Sequence, residues 1–317
     1  RGKRVALEPG FTGHFFFLSL LQDAGMKPSD VQIVPMETGQ AGSTFAAGAV
    51  DAALAGRLRA YLNMGGAIVA GSGALRVNDT ETIWADGLRL TDQGRSPFAP
   101  AYLKFARTLA DPDVFADLPD YEYALYDGAR QWLPTDSSVV LARLGEPLFQ
   151  RAPEHYTSHA QTPFDHLTDY AAVVLSGRLA ATAFPIGASY YRHGYWIYRE
   201  VFGGLVRAVL PEPLIETNAP ISAEVTVTHQ TATADRSERW LVHVVNFSPN
   251  RRGPDHCEYL EDPIPLRDVR IVLRVDDPIR RAYIAADESD LSLRAAERGW
   301  EVTIPRIEIG AIVVFER

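Results

Sequence analysis

The sequence predicts an α/β fold, in which a Rossmann-like parallel sheet over residues 1–210 precedes an antiparallel β-sandwich over residues 221–317. In the first part, segments of strand and helix composition alternate, which is typical of a parallel sheet covered by helices. A proline-rich stretch, Pro211–Pro220, then indicates a domain boundary. Beyond it, short segments alternate apolar and polar residues, as half-buried antiparallel strands do.

The first 54 residues are predicted to form a β-α-β-α unit. Strands are expected at Arg4–Leu7 and Val31–Pro35, which are short and mainly apolar. One helix is expected at His14–Ala24, where Gly25 would cap its end. A second helix is expected in the alanine-rich segment Ala41–Leu54. Two strands joined through a helix would pair in parallel.

The same alternation continues as far as the boundary. Leu54–Asn63 is predicted to be helical, and Tyr195–Val209 to be an amphipathic helix. Residues 76–135 are predicted to form long loops with short strands and one helix near Tyr102–Leu109. The remaining strands of this part are expected at Ala67–Ala70, Val139–Leu144, Ala171–Ser176 and Ala180–Pro185.

Six alternating segments separated by turn residues follow the boundary and predict the sandwich strands. They are Glu224–Thr228, Trp240–Asn246, Val269–Arg274, Arg281–Ala285, Trp300–Ile304 and Ala311–Phe315.

Composition excludes several classes of protein. The chain has 317 residues, 46% of them hydrophobic, which is enough for about two domains and excludes a disordered chain. A net charge of -9 argues against nucleic acid as a partner. Cys257, the single cysteine, excludes an internal disulfide framework and a multi-cysteine zinc site. No apolar run reaches the ~20 residues of a membrane span, and no cofactor is expected.

The segment Leu58–Val69, which ends in Met64-Gly65-Gly66-Ala67-Ile68-Val69, resembles a helix and strand of the β-galactosidase trimerisation domain. That domain is flavodoxin- or glutamine-amidotransferase-like and follows the catalytic barrel in certain glycoside hydrolases, including fucosidase-like relatives. The tail resembles the β-sandwich that closes those enzymes. Further matches occur in the same order at Ser96–Leu103, Glu146–Phe149, His155–Pro163, Gly177–Pro185, Tyr190–Gly194, His243–Pro249 and Asp262–Leu266.

This resemblance implies a non-catalytic accessory and oligomerisation region of a β-galactosidase- or fucosidase-type glycoside hydrolase, without the barrel. The expected partner is a second copy of the chain, in a homo-oligomer such as a trimer, with carbohydrate as a further ligand. The bacterial cytoplasm is favoured over the periplasm.

Residues 1–54 resemble a different family. Their ending Phe45-Ala-Ala-Gly-Ala-Val-Asp-Ala52 is similar to that of ABC-transporter substrate-binding proteins of the sulfonate, nitrate or thiamine-precursor type. In that family the loop before the first helix touches the ligand, which implies that Thr12, Gly13 and His14 bind a small anionic or heterocyclic ligand. Backbone N–H groups at a helix start attract anions. The alternative for Thr12 is an ordinary helix cap.

The expected domains are therefore residues 1–54, 55–212 and 221–317, with the first two forming either one sheet or separate units. The sequence begins with Arg1 instead of Met. The incomplete resemblances predict two partial proteins joined near Leu54–Ala55. A natural fusion of two β-α units is the alternative.

No catalytic residue is predicted. Glycosidases need two facing carboxylates, and no pattern pairs Glu122, Glu146, Glu154 or Glu200 with a second acid. Ser72 follows a strand, as the nucleophile of an elbow would, but its glycine-rich surroundings favour a plain turn.

Several polar and aromatic side chains are candidates for a subunit interface or for carbohydrate contact. The histidines His155 and His159, with Asp165, have partial metal-ligand spacing, but their segment is poor helix material and no metal site is predicted. Tyrosine and tryptophan suit interfaces and cores, because they bury a large area while keeping a polar tip. These residues are concentrated in the ranges 102–132 and 190–196. The interface or carbohydrate candidates are His155, Ser158, His159, Tyr191 and His193.

Overall fold

The computed structural model describes most of the chain after residue 51, together with two short strands before it. The described residues are 3–7, 31–35, 52–77, 83–106, 114–135, 138–234, 237–247, 250–252, 257–259 and 262–317. The chain divides into two compact units, Arg1–Pro211 and Glu212–Arg317.

The first unit contains ten strands and three α-helices among its described residues. The helices are α1 (Ala52–Asn63), α2 (Ile186–His193) and α3 (Trp196–Val209). None of the helices described in the chain is long and apolar enough to cross a membrane. The strands are β1 (Lys3–Leu7), β2 (Val31–Pro35), β3 (Ile68–Ala70), β4 (Leu90–Arg95), β5 (Ala101–Phe105), β6 (Tyr123–Leu125), β7 (Arg130–Pro134), β8 (Val139–Pro147), β9 (Phe164–Ser176) and β10 (Leu179–Thr182).

The main sheet of this unit is mixed, which corrects the expectation of a parallel, Rossmann-like sheet. Its order is β3-β10-β9-β8-β5-β6, with β4 and β7 attached beside it. Parallel pairing is confined to β3 with β10 in this sheet, and to β1 with β2 in a separate two-stranded sheet. The described chain is therefore α/β in layout but mostly β.

Connection length explains one of the antiparallel pairs, β9 with β10. Gly177 and Arg178 alone join β9 to β10, and Gly177 takes a φ of 56°. A two-residue loop can connect only antiparallel neighbours, because parallel strands need a crossover of a dozen or more residues.

The helix predicted near Tyr102–Leu109 is wrong where the structure describes it. Residues Ala101–Phe105 form strand β5, between β6 and β8. Ala101, Tyr102, Leu103 and Phe105 are all buried, so the strand is covered on both faces. A short apolar run of this kind has no period that separates a buried strand from a helix.

Most other predicted elements are confirmed. Helix α3 buries Ile197, Val201, Leu205 and Val209 at helical spacing, and its neighbours in the fold include β3 and β10. The predicted helix His14–Ala24 and most of the predicted helix Ala41–Leu54 lie outside the described residues.

The second unit is a β-sandwich, as predicted. Two four-stranded antiparallel sheets, β11-β16-β19-β18 and β12-β13-β20-β17, bury one shared apolar core. β14 and β15 pair separately. The strands are β11 (Ile215–Thr217), β12 (Ala223–Gln230), β13 (Arg239–Asn246), β14 (Asn250–Arg252), β15 (Cys257–Tyr259), β16 (Leu266–Leu273), β17 (Arg281–Ile284), β18 (Arg294–Ala295), β19 (Trp300–Ile307) and β20 (Gly310–Glu316).

A buried ion pair links β4 and β7 in the first unit. The Arg130 Nε donates to the Asp92 carboxylate at 2.5 Å, and the Asp92 side chain is fully buried. The Arg130 backbone N–H also donates to the Ala183 carbonyl at 2.7 Å, just beyond β10. One arginine therefore connects the antiparallel β4–β7 pair with the parallel part of the sheet.

Asp92→Asn should destabilise the chain by about 3 kcal/mol, because it keeps the shape but leaves the Arg130 charge buried without a counter-ion. Urea denaturation measures the change in the free energy of unfolding. Asp86→Asn, at an exposed position, is the control and should stay within about 0.5 kcal/mol of the parent. Equal stability of the two variants would contradict the importance of the pair.

Candidate functional site

The site begins at Asp127, in the turn between β6 and β7. Gly128 allows this turn, because its φ is 69° and its N–H donates to the Leu125 carbonyl at 3.0 Å. A Cβ at this position would lie 2.9 Å from the Phe98 carbonyl oxygen. The turn therefore requires glycine and fixes the direction in which Asp127 points.

Three side chains of α2 converge on the Asp127 carboxylate. The Ser189 hydroxyl donates to Oδ2 at 2.7 Å, and His193 Nε2 lies 3.1 Å from the same oxygen. The Arg192 guanidinium donates to Oδ1. Positions 189, 192 and 193 follow i, i+3, i+4 spacing, which places them on one face of the helix. We call these four residues the Asp127 cluster.

The partners of Asp127 outweigh the effect of its burial on its pKa. Burial acts to raise the pKa of Asp127, but the Ser189 hydroxyl, His193 and Arg192 together hold it below its ordinary value. The carboxylate is consequently ionised at neutral pH and occupied by donors, which is the state of a structural anchor.

Asp127→Asn should lower the free energy of unfolding by about 1–2 kcal/mol at pH 7, because charge-assisted bonds become neutral ones. A lowered pKa contributes stability above the unfolded-state value of about 3.9. That contribution disappears as the pH falls through the folded-state pKa. The difference between parent and variant should therefore shrink below about pH 4.

Chemical denaturation between pH 7 and pH 3 measures this difference. Asp169→Asn is the matched control, because the Asp169 side chain is 96% exposed. A parent–variant gap that stays constant over this pH range would contradict the proposed ionisation of Asp127.

A continuous row of rings extends from the Asp127 cluster to the surface. Neighbouring centroids lie 5.1–6.4 Å apart. Tyr121 and Trp196 are exposed, at 64% and 40%, whereas Tyr123 between them is buried, at 4%. We call this set the aromatic row; in order, its members are Tyr121, Tyr123, Trp196, Tyr195, Tyr126 and His193.

Tyr198 holds the inner end of the row in place. Its hydroxyl accepts the Tyr126 N–H at 3.1 Å and donates to the Ala124 carbonyl at 3.4 Å. Burial raises the pKa of Tyr198 above its ordinary value, so the hydroxyl stays neutral and able to donate. Helix α3 thereby positions Tyr126 beside His193.

An open cavity of about 580 Å³ adjoins the inner end of the row. Tyr126 and His193 line one part of it, and the loop containing Gln150 and Tyr156 lines another. The Gln150 amide fixes this loop by pairing with both the N–H and the carbonyl of Ala99, at 3.2 and 3.1 Å. The lining therefore combines ring faces with amide, imidazole and guanidinium groups.

The structure brings one of the five predicted interface or carbohydrate candidates, His193, into the Asp127 cluster. His155, Ser158 and His159 are exposed on the 150–160 loop that borders the cavity. Tyr191 is 79% exposed on α2.

Two of the four acids weighed for catalysis are engaged by cations. Glu122 accepts from Lys104 at 2.5 Å, and Glu200 accepts from Arg199 at 2.6 Å. Glu146 lies 3.9 Å from His166 Nε2. These contacts are typical of structural ion pairs.

The remaining predicted residues are not members of the cluster or lie outside the described part of the chain. Ser72 sits in a 3₁₀ turn, Ser72–Leu75, directly after β3. Thr12, Gly13 and His14 are outside the described residues, as is the side chain of Cys257. Asp165 contacts His166 at 2.8 Å, and the described residues include no group of three metal-ligating side chains.

Sequence reasoning missed Asp127, Ser189 and Arg192. The available signals were the Asp127-Gly128 dipeptide, which is typical of a turn, and the polar i, i+3, i+4 spacing on α2. Neither signal indicates that the turn and the helix meet, because more than 60 residues separate them in the chain.

Comparison with known proteins gives two separate similarities. Residues 1–65 match the model of the NMT1/THI5-like family. In structure, the chain is similar to α-L-fucosidase isoenzyme 2 from Paenibacillus thiaminolyticus, with 25% identity and a TM-score of 0.74. The similarity covers 90% of this chain and 42% of the fucosidase chain, so the chain spans less than half of that enzyme.

A cycloisomaltooligosaccharide glucanotransferase from a Paenibacillus species also matches, at 15% identity over 44% of this chain and 22% of that chain, with a TM-score of 0.21. A TM-score of 0.21 does not indicate a shared fold. No curated protein matches the chain in sequence.

Proposed function

We propose that this chain is a non-catalytic accessory and oligomerisation region of a glycoside hydrolase-like protein. It would join copies of the chain and shape the edge of a carbohydrate site. The similarity to a fucosidase over 90% of this chain is the observation that carries the proposal. The catalytic acids would belong to a barrel outside the described residues.

Within this proposal, residues 55–212 form a flavodoxin- or amidotransferase-like domain and residues 221–317 form its sandwich. The parallel pair β3 and β10, packed against α3, supports an α/β ancestry for a sheet that is otherwise antiparallel. Residues 1–54 would be a βαβα segment of substrate-binding type, in agreement with the NMT1/THI5-like match.

The state of the carboxylates supports a non-catalytic role. A glycosidase places one acid and one base on either side of the scissile bond. In the first unit, Asp92, Asp127, Glu122 and Glu200 each accept hydrogen bonds from cationic side chains. A carboxylate held in this way is a poor proton donor, because its charged form is favoured.

The exposed rings support association between copies of the chain. Tyr121, Tyr190, Tyr191 and Trp196 are 39–79% exposed and lie on α2, α3 and the loop before β6. Tyrosine and tryptophan are enriched in interfaces because they bury a large area while keeping a polar tip. We call these four residues the exposed ring group and propose that it contacts a second copy of the chain.

The chain should form an oligomer at micromolar concentration, and Tyr121→Asp with Tyr191→Asp should convert it to a monomer. Two new charges would have to be desolvated in the interface, which costs several kcal/mol. Light scattering coupled to gel filtration measures the mass. Met64→Asp is the control, because Met64 is 80% exposed outside the exposed ring group. A monomeric parent protein would overturn the proposed oligomerisation.

The isolated chain should not hydrolyse 4-nitrophenyl α-L-fucopyranoside above the buffer rate, because under this proposal the catalytic acid pair lies outside the described residues. Release of nitrophenol, followed by absorbance, measures turnover. Turnover that disappears in Glu146→Gln but persists in the exposed control Glu154→Gln would contradict the non-catalytic assignment.

The NMT1/THI5-like match supports a second candidate function, a binding module for a small anionic or heterocyclic ligand. Thr12, Gly13 and His14 would provide its contacts. A thermal-shift screen of pyrimidines and sulfonates separates the two candidates. Saturable stabilisation that His14→Ala abolishes would favour the binding module over the accessory region.

A further inference from the structure

Asp127 lines a second, smaller cavity, at the carboxyl ends of the parallel pair. Ala70 of β3 is opposite Ala181 of β10. Ser72 and Gly73, which follow β3, and Ala183 and Pro185, which follow β10, line a cavity of about 110 Å³. Ligands of α/β folds bind preferentially at this end of parallel strands.

Three guanidinium groups face one carboxylate in the lining of this cavity. Arg76, Arg95 and Arg130 contribute the positive charges, and Asp127 contributes the negative charge. Asp127 already accepts from Ser189, Arg192 and His193, so its repulsion of an incoming anion is reduced. Arg130 is likewise paired with Asp92, so the positive charge open to a ligand is chiefly that of Arg95, and it favours an anion in a chain whose net charge is -9.

Two of the lining groups have donors available for a ligand. Arg95 is exposed on β4 and is paired in register with Arg130 on β7. Within the described part of the chain, its guanidinium has no hydrogen-bond or ion-pair partner. Ser72 is only 7% exposed, and its hydroxyl likewise has no partner among the described residues.

Ser72 Oγ is not among the fully buried polar atoms of the described residues that lack a partner, so the hydroxyl is open to the cavity and can donate to a ligand. Guanidinium groups bind planar or tetrahedral oxyanions through paired N–H donors. The geometry points to a binding site for a small oxyanion, a phosphate or a carboxylate, between Ser72, Arg95 and Arg130. Ser72 is a donor in this site, since no histidine lines the cavity to act as its base.

Two isothermal titrations of the full chain test the site. One arm uses inorganic phosphate, and the other uses acetate, as the carboxylate, at equal ionic strength. We expect saturable binding in at least one arm. The tighter arm identifies the chemistry of the ligand. Arg95→Gln should weaken this binding about tenfold, because it removes a charge-assisted contact. Ser72→Ala should weaken it severalfold.

Arg57→Gln on the exposed side of α1 is the control and should bind like the parent. Thermal unfolding without ligand verifies that each variant is folded. Two results would overturn the site: no saturable binding of either anion by the parent, or binding that Arg95→Gln and Ser72→Ala leave unchanged. The oligomeric state and any affinity for carbohydrate do not affect these outcomes.

Discussion

The ion pair between Asp92 and Arg130 is the constraint on which the first unit depends. Both charged groups are removed from water, so each requires the other. Through its backbone, Arg130 also bonds to Ala183 beyond β10. The same arginine begins β7 directly after the turn that carries Asp127, and it lines the smaller cavity. Displacing it would disturb the β4–β7 pair, the turn and the cavity together.

The Asp127 cluster extends this constraint to the helical layer. The Asp127 carboxylate accepts hydrogen bonds from three side chains on one face of α2. Tyr198 of α3 accepts a hydrogen bond from the backbone N–H of the neighbouring Tyr126. These contacts order the aromatic row from His193 outward to Tyr121. The resulting surface presents the exposed rings of Tyr121 and Trp196.

Much of the fold could be predicted from local pattern. The helix at Trp196–Val209 and the strands of the sandwich follow directly from apolar spacing of 3.6 and 2 residues. Strand direction could not be predicted in this way, because period and composition do not record which neighbour a strand pairs with. The strand Ala101–Phe105 was mistaken for a helix, since burial on both faces removes the alternation that identifies a strand.

The sequence by itself determined the two-part organisation, the sandwich, the absence of an internal disulfide and the candidate status of His193. Only the tertiary structure decided that His193 meets Asp127, and that Ser72 and Arg95 share one cavity. The physical reason is the distance along the chain. Backbone pattern specifies local conformation, whereas these side chains converge through long-range strand pairing and helix packing.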